Sequence, residues 1–140
     1  MMDAQSKNLI VECAEDCGNS PKKKLLKDLA ISFAKKDIPF CMDWLTDDVS
    51  WELIGEKRIQ GKEKVENALC EMSERDVKQL QIHNIITHGN AASLNATFIL
   101  KDNWRIDFCN VYNFRGFGKN AKIKAIASYV IQTSRQVKQA

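Results

Sequence analysis

The run Asn103-Trp-Arg-Ile-Asp-Phe-Cys-Asn-Val-Tyr-Asn-Phe-Arg-Gly-Phe-Gly-Lys-Asn-Ala-Lys-Ile-Lys-Ala-Ile-Ala-Ser-Tyr-Val-Ile131 decides the fold. Its first half alternates with period two. Trp104, Ile106, Phe108, Tyr112 and Phe114 take one parity, while Asn103, Arg105, Asp107, Asn113 and Arg115 take the other. That is the pattern of a strand with one buried face, and all five apolar residues are expected to be buried on it. Gly116 and Gly118 supply freedom to turn, and a second aromatic and β-branched run follows, so the pair reads as a long hairpin. Asn110 interrupts the apolar face. A carboxamide placed there is either a structural hydrogen bond or the polar point of a pocket.

Working outward, the chain before this hairpin is also strand. Leu80, Ile82 and Ile86 share one face, Gly89-Asn90 turns, Leu94, Ala96, Phe98 and Leu100 share the next face, and Lys101-Asp102-Asn103 turns again. Helical signals lie upstream. A leader helix is expected over Ala4 to Asp16, with the stripe Leu9, Ile10, Cys13 and Cys17, stopped by Gly18. Ser20-Pro21 is a capping serine followed by proline at the first helical position, and Leu25, Leu26, Leu29, Ala30 and Phe33 recur at helical spacing. Asp37 can cap a shorter helix, Ile38 to Leu45. Thr46-Asp47-Asp48 reads as a turn, Val49 to Gly55 as a strand returning through Arg58 to Gln60, and Lys62 to Arg75 as a further helix with Val65, Leu69 and Met72 on its buried side. Segregated helices followed by a long antiparallel meander predict an α+β domain. Its helices pack in the concave face of a strongly curved, mostly antiparallel sheet, giving a cone with a dry interior. Residues 1–19 read as a leader, 20–135 as a single domain and 136–140 as a tail.

A chain of 140 residues can bury a full core. Its formal charge of +3 demands no nucleic-acid or membrane partner. Lys22, Lys23 and Lys24 form the one tight basic run and read as a solvated helix face. Five scattered cysteines without a C-x-x-C, and two histidines, indicate neither a zinc site nor a disulfide framework. No cofactor is expected. With no signal peptide and no bilayer-crossing run in view, a reducing cytoplasm is the expected compartment.

The element order resembles the SnoaL-like, nuclear-transport-factor-2-like superfamily. So do Asp47-Asp-Val-Ser-Trp-Glu-Leu-Ile-Gly55 followed by Ile59-Gln-Gly-Lys-Glu-Lys-Val65, and the closing Tyr112-Asn-Phe-Arg-Gly-Phe-Gly-Lys-Asn-Ala-Lys-Ile-Lys-Ala-Ile-Ala-Ser-Tyr-Val130. The resemblance covers about Leu25 to Thr133. It implies three N-terminal helices in a cystatin-like α+β cone, a deep hydrophobic pocket and frequent dimers through the sheet, with functions from isomerases and cyclases to non-catalytic binding proteins. In the ketosteroid-isomerase-like pattern the general base falls on Leu53, the protonated aspartate on Asn110 and the partner tyrosine on Leu29, so the base is missing. In the limonene-epoxide-hydrolase-like pattern Arg105-Ile106-Asp107 has the right spelling, but one strand late and on the polar parity. The last-strand aspartate there reads Ser128. A polyketide-cyclase-like pattern, which relies on a single aspartate or histidine, stays open.

Glu52, His83, His88 and Asp43 read as surface residues, and Tyr112 and Tyr129 as tyrosines whose hydroxyls need partners if buried. The expected pocket is lined by Trp51, Leu53, Phe108 and Tyr112, with Asn110 as its polar anchor. The function read from these residues is binding of a small apolar molecule. The alternatives are an isomerase, polyketide cyclase or dehydratase with an unlocated acid or base, and a dimerising domain with a filled interior. A homodimer through the outer face of the sheet is expected, because both parities of Lys122 to Thr133 are apolar at the far end.

Overall fold

The first helix starts as its chemistry dictates. The Ser20 side chain accepts from the Lys23 backbone N–H, and Pro21 occupies the first position of α1 (Pro21–Ala34), where a missing N–H is no loss. In the computed structural model, which describes residues 8–14 and 18–134, α1 buries Leu25, Leu26, Leu29, Ala30 and Ala34. Lys36 takes a left-handed backbone (φ 66) at the corner. Asp37 then accepts from the Phe40 N–H to cap α2 (Ile38–Asp43). α3 (Lys62–Met72) begins after Gly61 and buries Val65 and Ala68.

Seven strands form one sheet: β1 (Ile10–Glu12), β2 (Leu45–Leu53), β3 (Lys57–Gln60), β4 (Val77–His88), β5 (Ala91–Leu100), β6 (Trp104–Phe114) and β7 (Ile123–Ser134). Their order is β1-β4-β5-β6-β7-β2-β3. β4 to β7 are the expected antiparallel meander. β2 lies parallel to β7 and carries β3 at one edge, while β1 lies parallel to β4 at the other. The sheet is therefore mixed, and it does not close into a barrel. With α1 packed on β4 and α3 on β2, the fold is the expected α+β cone. Among the described residues no helix is long and apolar enough to cross a membrane.

Four local expectations are corrected. Ile10–Glu12, placed in a leader helix by the sequence, is a strand paired with Gln79, Leu80 and Gln81. The open edge of β4 offers that backbone partners, and a short, weakly striped helix cannot match them. Leu9 and Cys13 of the expected stripe do rest on the core, Ile10 is exposed, and Cys17 lies outside the described residues. Cys13 is disulfide-bonded, which the sequence reading did not foresee. Second, α2 stops at Asp43, and Thr46 to Asp48 belong to β2 instead of a turn. A register irregularity between Leu45 and Ser50 absorbs these polar residues, and Asp48 is held by Thr46 and Arg115. Third, a register shift between Ile82 and Asn84 sends Ile86 outward, 61% exposed, and turns Ile85 toward the core instead. Fourth, α3 ends at Met72, so Arg75 lies beyond the helix.

The five apolar residues of β6 do share one face. Tyr112 and Phe114 are buried on it, Ile106 and Phe108 are half-buried, and Trp104 is 36% exposed. The expectation of uniform burial fails because this face looks into an open cavity instead of solid core. Burial along β6 therefore orders the costs of truncation. Phe114→Ala should lose about 3–5 kcal/mol in urea unfolding, and Phe108→Ala distinctly less. Equal losses would mean that the cavity end is packed as tightly as the closed end.

Candidate functional site

Between the helices and the concave face lies a cavity of about 330 Å³, at the small end of the range that holds small-molecule ligands. Its walls are apolar. Phe33 of α1 stacks on Phe98 of β5 at 5.8 Å between centroids, and Phe98 meets Phe108 of β6 at 4.8 Å. Trp51, Leu53, Phe108, Asn110 and Tyr112, the five residues singled out from the sequence, all line this cavity. The strand period explains the convergence, because each points to the concave side of β2 or β6.

One polar thread crosses the apolar wall. The Trp51 indole N–H donates to Ser128 Oγ at 2.8 Å. The Ser128 hydroxyl donates to Asn110 Oδ1 at 2.6 Å, and Asn110 Nδ2 donates to Tyr112 Oη at 3.0 Å. An indole nitrogen can only donate, so Ser128 accepts from it, and the single serine proton goes to the Asn110 oxygen. With the amide in this orientation Asn110 Nδ2 faces the phenol, and Tyr112 accepts there. The Tyr112 O–H and the second Asn110 N–H are left without an acceptor among the described residues. The thread therefore ends in two free donors at the cavity wall. Asn110 is thus both of the things the sequence left open, a structural link and a polar point.

The interior carries no charge at neutral pH. Burial pushes the Tyr112 hydroxyl up to about 12, against the pull of the Asn110 hydrogen bond. Burial, aided by the negative charge of Asp37, pushes the Cys41 thiol up to about 12. The charged lining residues are Glu56, which is exposed on the turn after β2, and the partly exposed Arg75. Arg75 Nη1 donates to Gln132 Oε1 at 3.1 Å, and its guanidinium lies 5.9 Å from the Trp104 ring centre. Among the described residues no three His, Cys, Asp or Glu gather to hold a metal.

Other candidates fall elsewhere. Arg105 and Asp107 form a two-point pair (2.8 and 3.1 Å) on the outer face. Thr97 Oγ1 donates to Asp107 at 2.5 Å and accepts from His83 Nε2 at 2.8 Å. The Arg-x-Asp spelling is therefore remote from the cavity. Glu52, Asp43, His88 and Tyr129 are exposed. Leu53 and Leu29 line the cavity where the isomerase-like pattern wants an acid and a tyrosine. The sequence reading missed Arg75 and Gln132, and it weighed Ser128 only as a missing acid. The parity of β7, with Ile126, Ser128 and Val130 on one side, was the signal that could have placed Ser128 in the site.

No protein-family model matches this chain, and no curated protein matches it. Solved structures do. An NTF-2 like protein of unknown function from Burkholderia xenovorans superposes with a TM-score of 0.68 at 16% identity, covering 86% of this chain and 88% of that one. An NTF2-like protein of unknown function from Cytophaga hutchinsonii gives 0.58 at 23% identity, covering 77% and 97%. An LEH-like epoxide hydrolase from M. tuberculosis gives 0.61 at 22% identity, covering 77% and 80%. At such identities the likeness is one of fold.

The thread and the outer pair each generate a test. Ser128→Ala strands the Trp51 N–H and the Asn110 oxygen, so it should lose about 1–3 kcal/mol in urea unfolding; a neutral result would mean that the thread is not formed in solution. Hydrogen bonds from Arg105 hold the Asp107 carboxyl below its usual range, with partial burial opposing and Thr97 assisting. The unfolded chain then takes up this proton first as pH falls. The stability gained is complete above the ordinary carboxylate pKa and is lost as pH drops through the depressed value. Below about pH 4 the wild type should therefore lose stability faster than Asp107→Asn. Parallel acid-unfolding curves for the two would contradict this.

Proposed function

We propose that this chain, which has the NTF2-like fold, binds a small apolar molecule whose buried end carries a hydrogen-bond acceptor such as a carbonyl oxygen. The observation that carries this reading is the end of the polar thread. Two donors, on Asn110 and Tyr112, stand at the wall of a cavity otherwise lined by aliphatic and aromatic side chains. A ligand oxygen that accepts from them repairs an incomplete hydrogen-bond chain, and the apolar wall takes the rest of the molecule. The protein acts here as a binding module. A proton-transfer enzyme needs a group that titrates near neutrality in the cavity, and Leu53 stands at the position where the isomerase-like pattern puts one. The open cavity also speaks against a dimerising domain with a filled interior.

A homodimer through the outer face of the sheet belongs to the same reading. Tyr129 and Ile131 stand 49% and 67% exposed on β7, and Tyr129 lies beside half-buried Cys109 of β6. A second copy would cover this apolar strip.

The simple ketone 2-undecanone, titrated calorimetrically, tests the pocket. Asn110→Leu should weaken its binding by about 1–3 kcal/mol, the loss of one buried hydrogen bond. Because Tyr112 and Cys41 both stay neutral, the wild-type affinity should be flat between about pH 5 and pH 8. Absence of binding up to the solubility limit would end the proposal, and unfolding of Asn110→Leu would assign Asn110 to structure alone. Wild-type protein should not isomerise a Δ5-3-ketosteroid. Sedimentation should find a dimer, and a monomer at high micromolar concentration would remove that part of the reading.

A further inference from the structure

We infer that the ligand is an elongated apolar carboxylate, with an acceptor oxygen at its buried end against Asn110 and Tyr112 and its anionic group at the mouth against Arg75. The inference rests on the binding reading above and adds a second anchor to it.

The register of β6 and β7 sets the spacing. Asn110 pairs with Ser128, and Ile106 pairs with Gln132, the residue that holds Arg75. Four residues of strand separate the two levels, so the backbone beside the inner donors and the backbone beside Gln132 lie about 13 Å apart along the cavity. Between these levels the wall is supplied by Phe108 and Val130. A molecule that touches both anchors is therefore slender, and apolar in its middle.

Arg75 is built to receive an anion. Gln132 and the Trp104 ring hold its planar group in place. Its ion pair with Asp102 is a long 3.5 Å contact between side chains 38% and 58% exposed. Such a pair contributes little and is readily exchanged. Of five guanidinium N–H groups, this leaves enough for two-point binding of a carboxylate, a geometry that lysine cannot reproduce. The other charged lining residue, Glu56, follows a turn whose Ile54 N–H bonds to the Ser128 carbonyl at 3.0 Å. That contact is at the level of the inner donors, four residues along β7 from Gln132.

The test compares 10-oxoundecanoate with its methyl ester, with undecanoate and with 2-undecanone by calorimetry. The keto acid should bind the wild type about ten- to a hundredfold tighter than the ester, the worth of a charge-assisted hydrogen bond. Arg75→Met should bring the acid-to-ester ratio close to one, and Asn110→Leu should bring the keto acid down to undecanoate. If Arg75→Met fails to fold, added salt acts on the wild type instead and should shrink the acid advantage while leaving the keto advantage. Binding of ester and ketone with no preference for the acid would overturn the Arg75 assignment alone and leave the pocket reading standing. Undecylamine is measured alongside, and its preference over undecanoate would show that Glu56 at the inner level, and not Arg75, selects the charge, and would also overturn it. If none of the four compounds binds, both readings fall together.

Discussion

The concave side of this molecule depends on the parallel pairing of β2 with β7. A four-stranded antiparallel meander alone is an open ribbon with two bare edges. By lying alongside β7, β2 brings Trp51 and Leu53 onto the same concave surface as Asn110 and Tyr112, with Trp51 paired to Ile126 and Leu53 to Ser128. α3 packs on β2 and α1 on β4. The helices therefore hold the two flanks of the sheet, and the hollow stays between them. The crosswise bond from Trp51 to Ser128 ties this parallel seam with a side chain as well as with backbone. In a low-dielectric interior such a bond is strong when made and costly when left unmade.

Much of this was legible in the sequence, for a specific reason. Strands with one dry face have a period of two, and β5 and β6 keep it over their whole length. Reading parity alone put Phe108, Asn110 and Tyr112 on the inner face and Arg105 and Asp107 on the outer one. What parity cannot contain is a change of phase. The shift near His83 moves Ile86 from one face to the other, and the irregularity between Leu45 and Ser50 lets Thr46 and Asp48 sit inside a strand that local composition marks as a turn. Nor does parity name a strand's neighbours. β1 became a strand only because an edge of β4 lay open to it, and Arg75 met Gln132 across 57 residues of chain. Such contacts come from the topology, which local patterns constrain but do not spell out.

The degree of burial was harder to read than the face. An apolar side chain facing inward is buried only if the space opposite is filled. In this cone the space is filled near Phe114 and empty near Phe108, so the same alternation yields a packed core at one end and a vestibule at the other. Trp104, at the open end, trades burial for a place beneath the Arg75 guanidinium.

The polar thread begins at the Trp51 indole, the one member that can only donate. Every other member can reverse: a serine hydroxyl rotates, a carboxamide flips, a phenol either gives or takes. Only the indole is unable to accept. Exchange Trp51 for phenylalanine and Ser128 loses the donor that faces it, leaving only the two bonds among Ser128, Asn110 and Tyr112. The bond that starts the thread thus lies on β2, two strands across the sheet from the asparagine and tyrosine at its other end. A single aromatic exchange there would shorten the thread from its far end while leaving the asparagine and the tyrosine untouched.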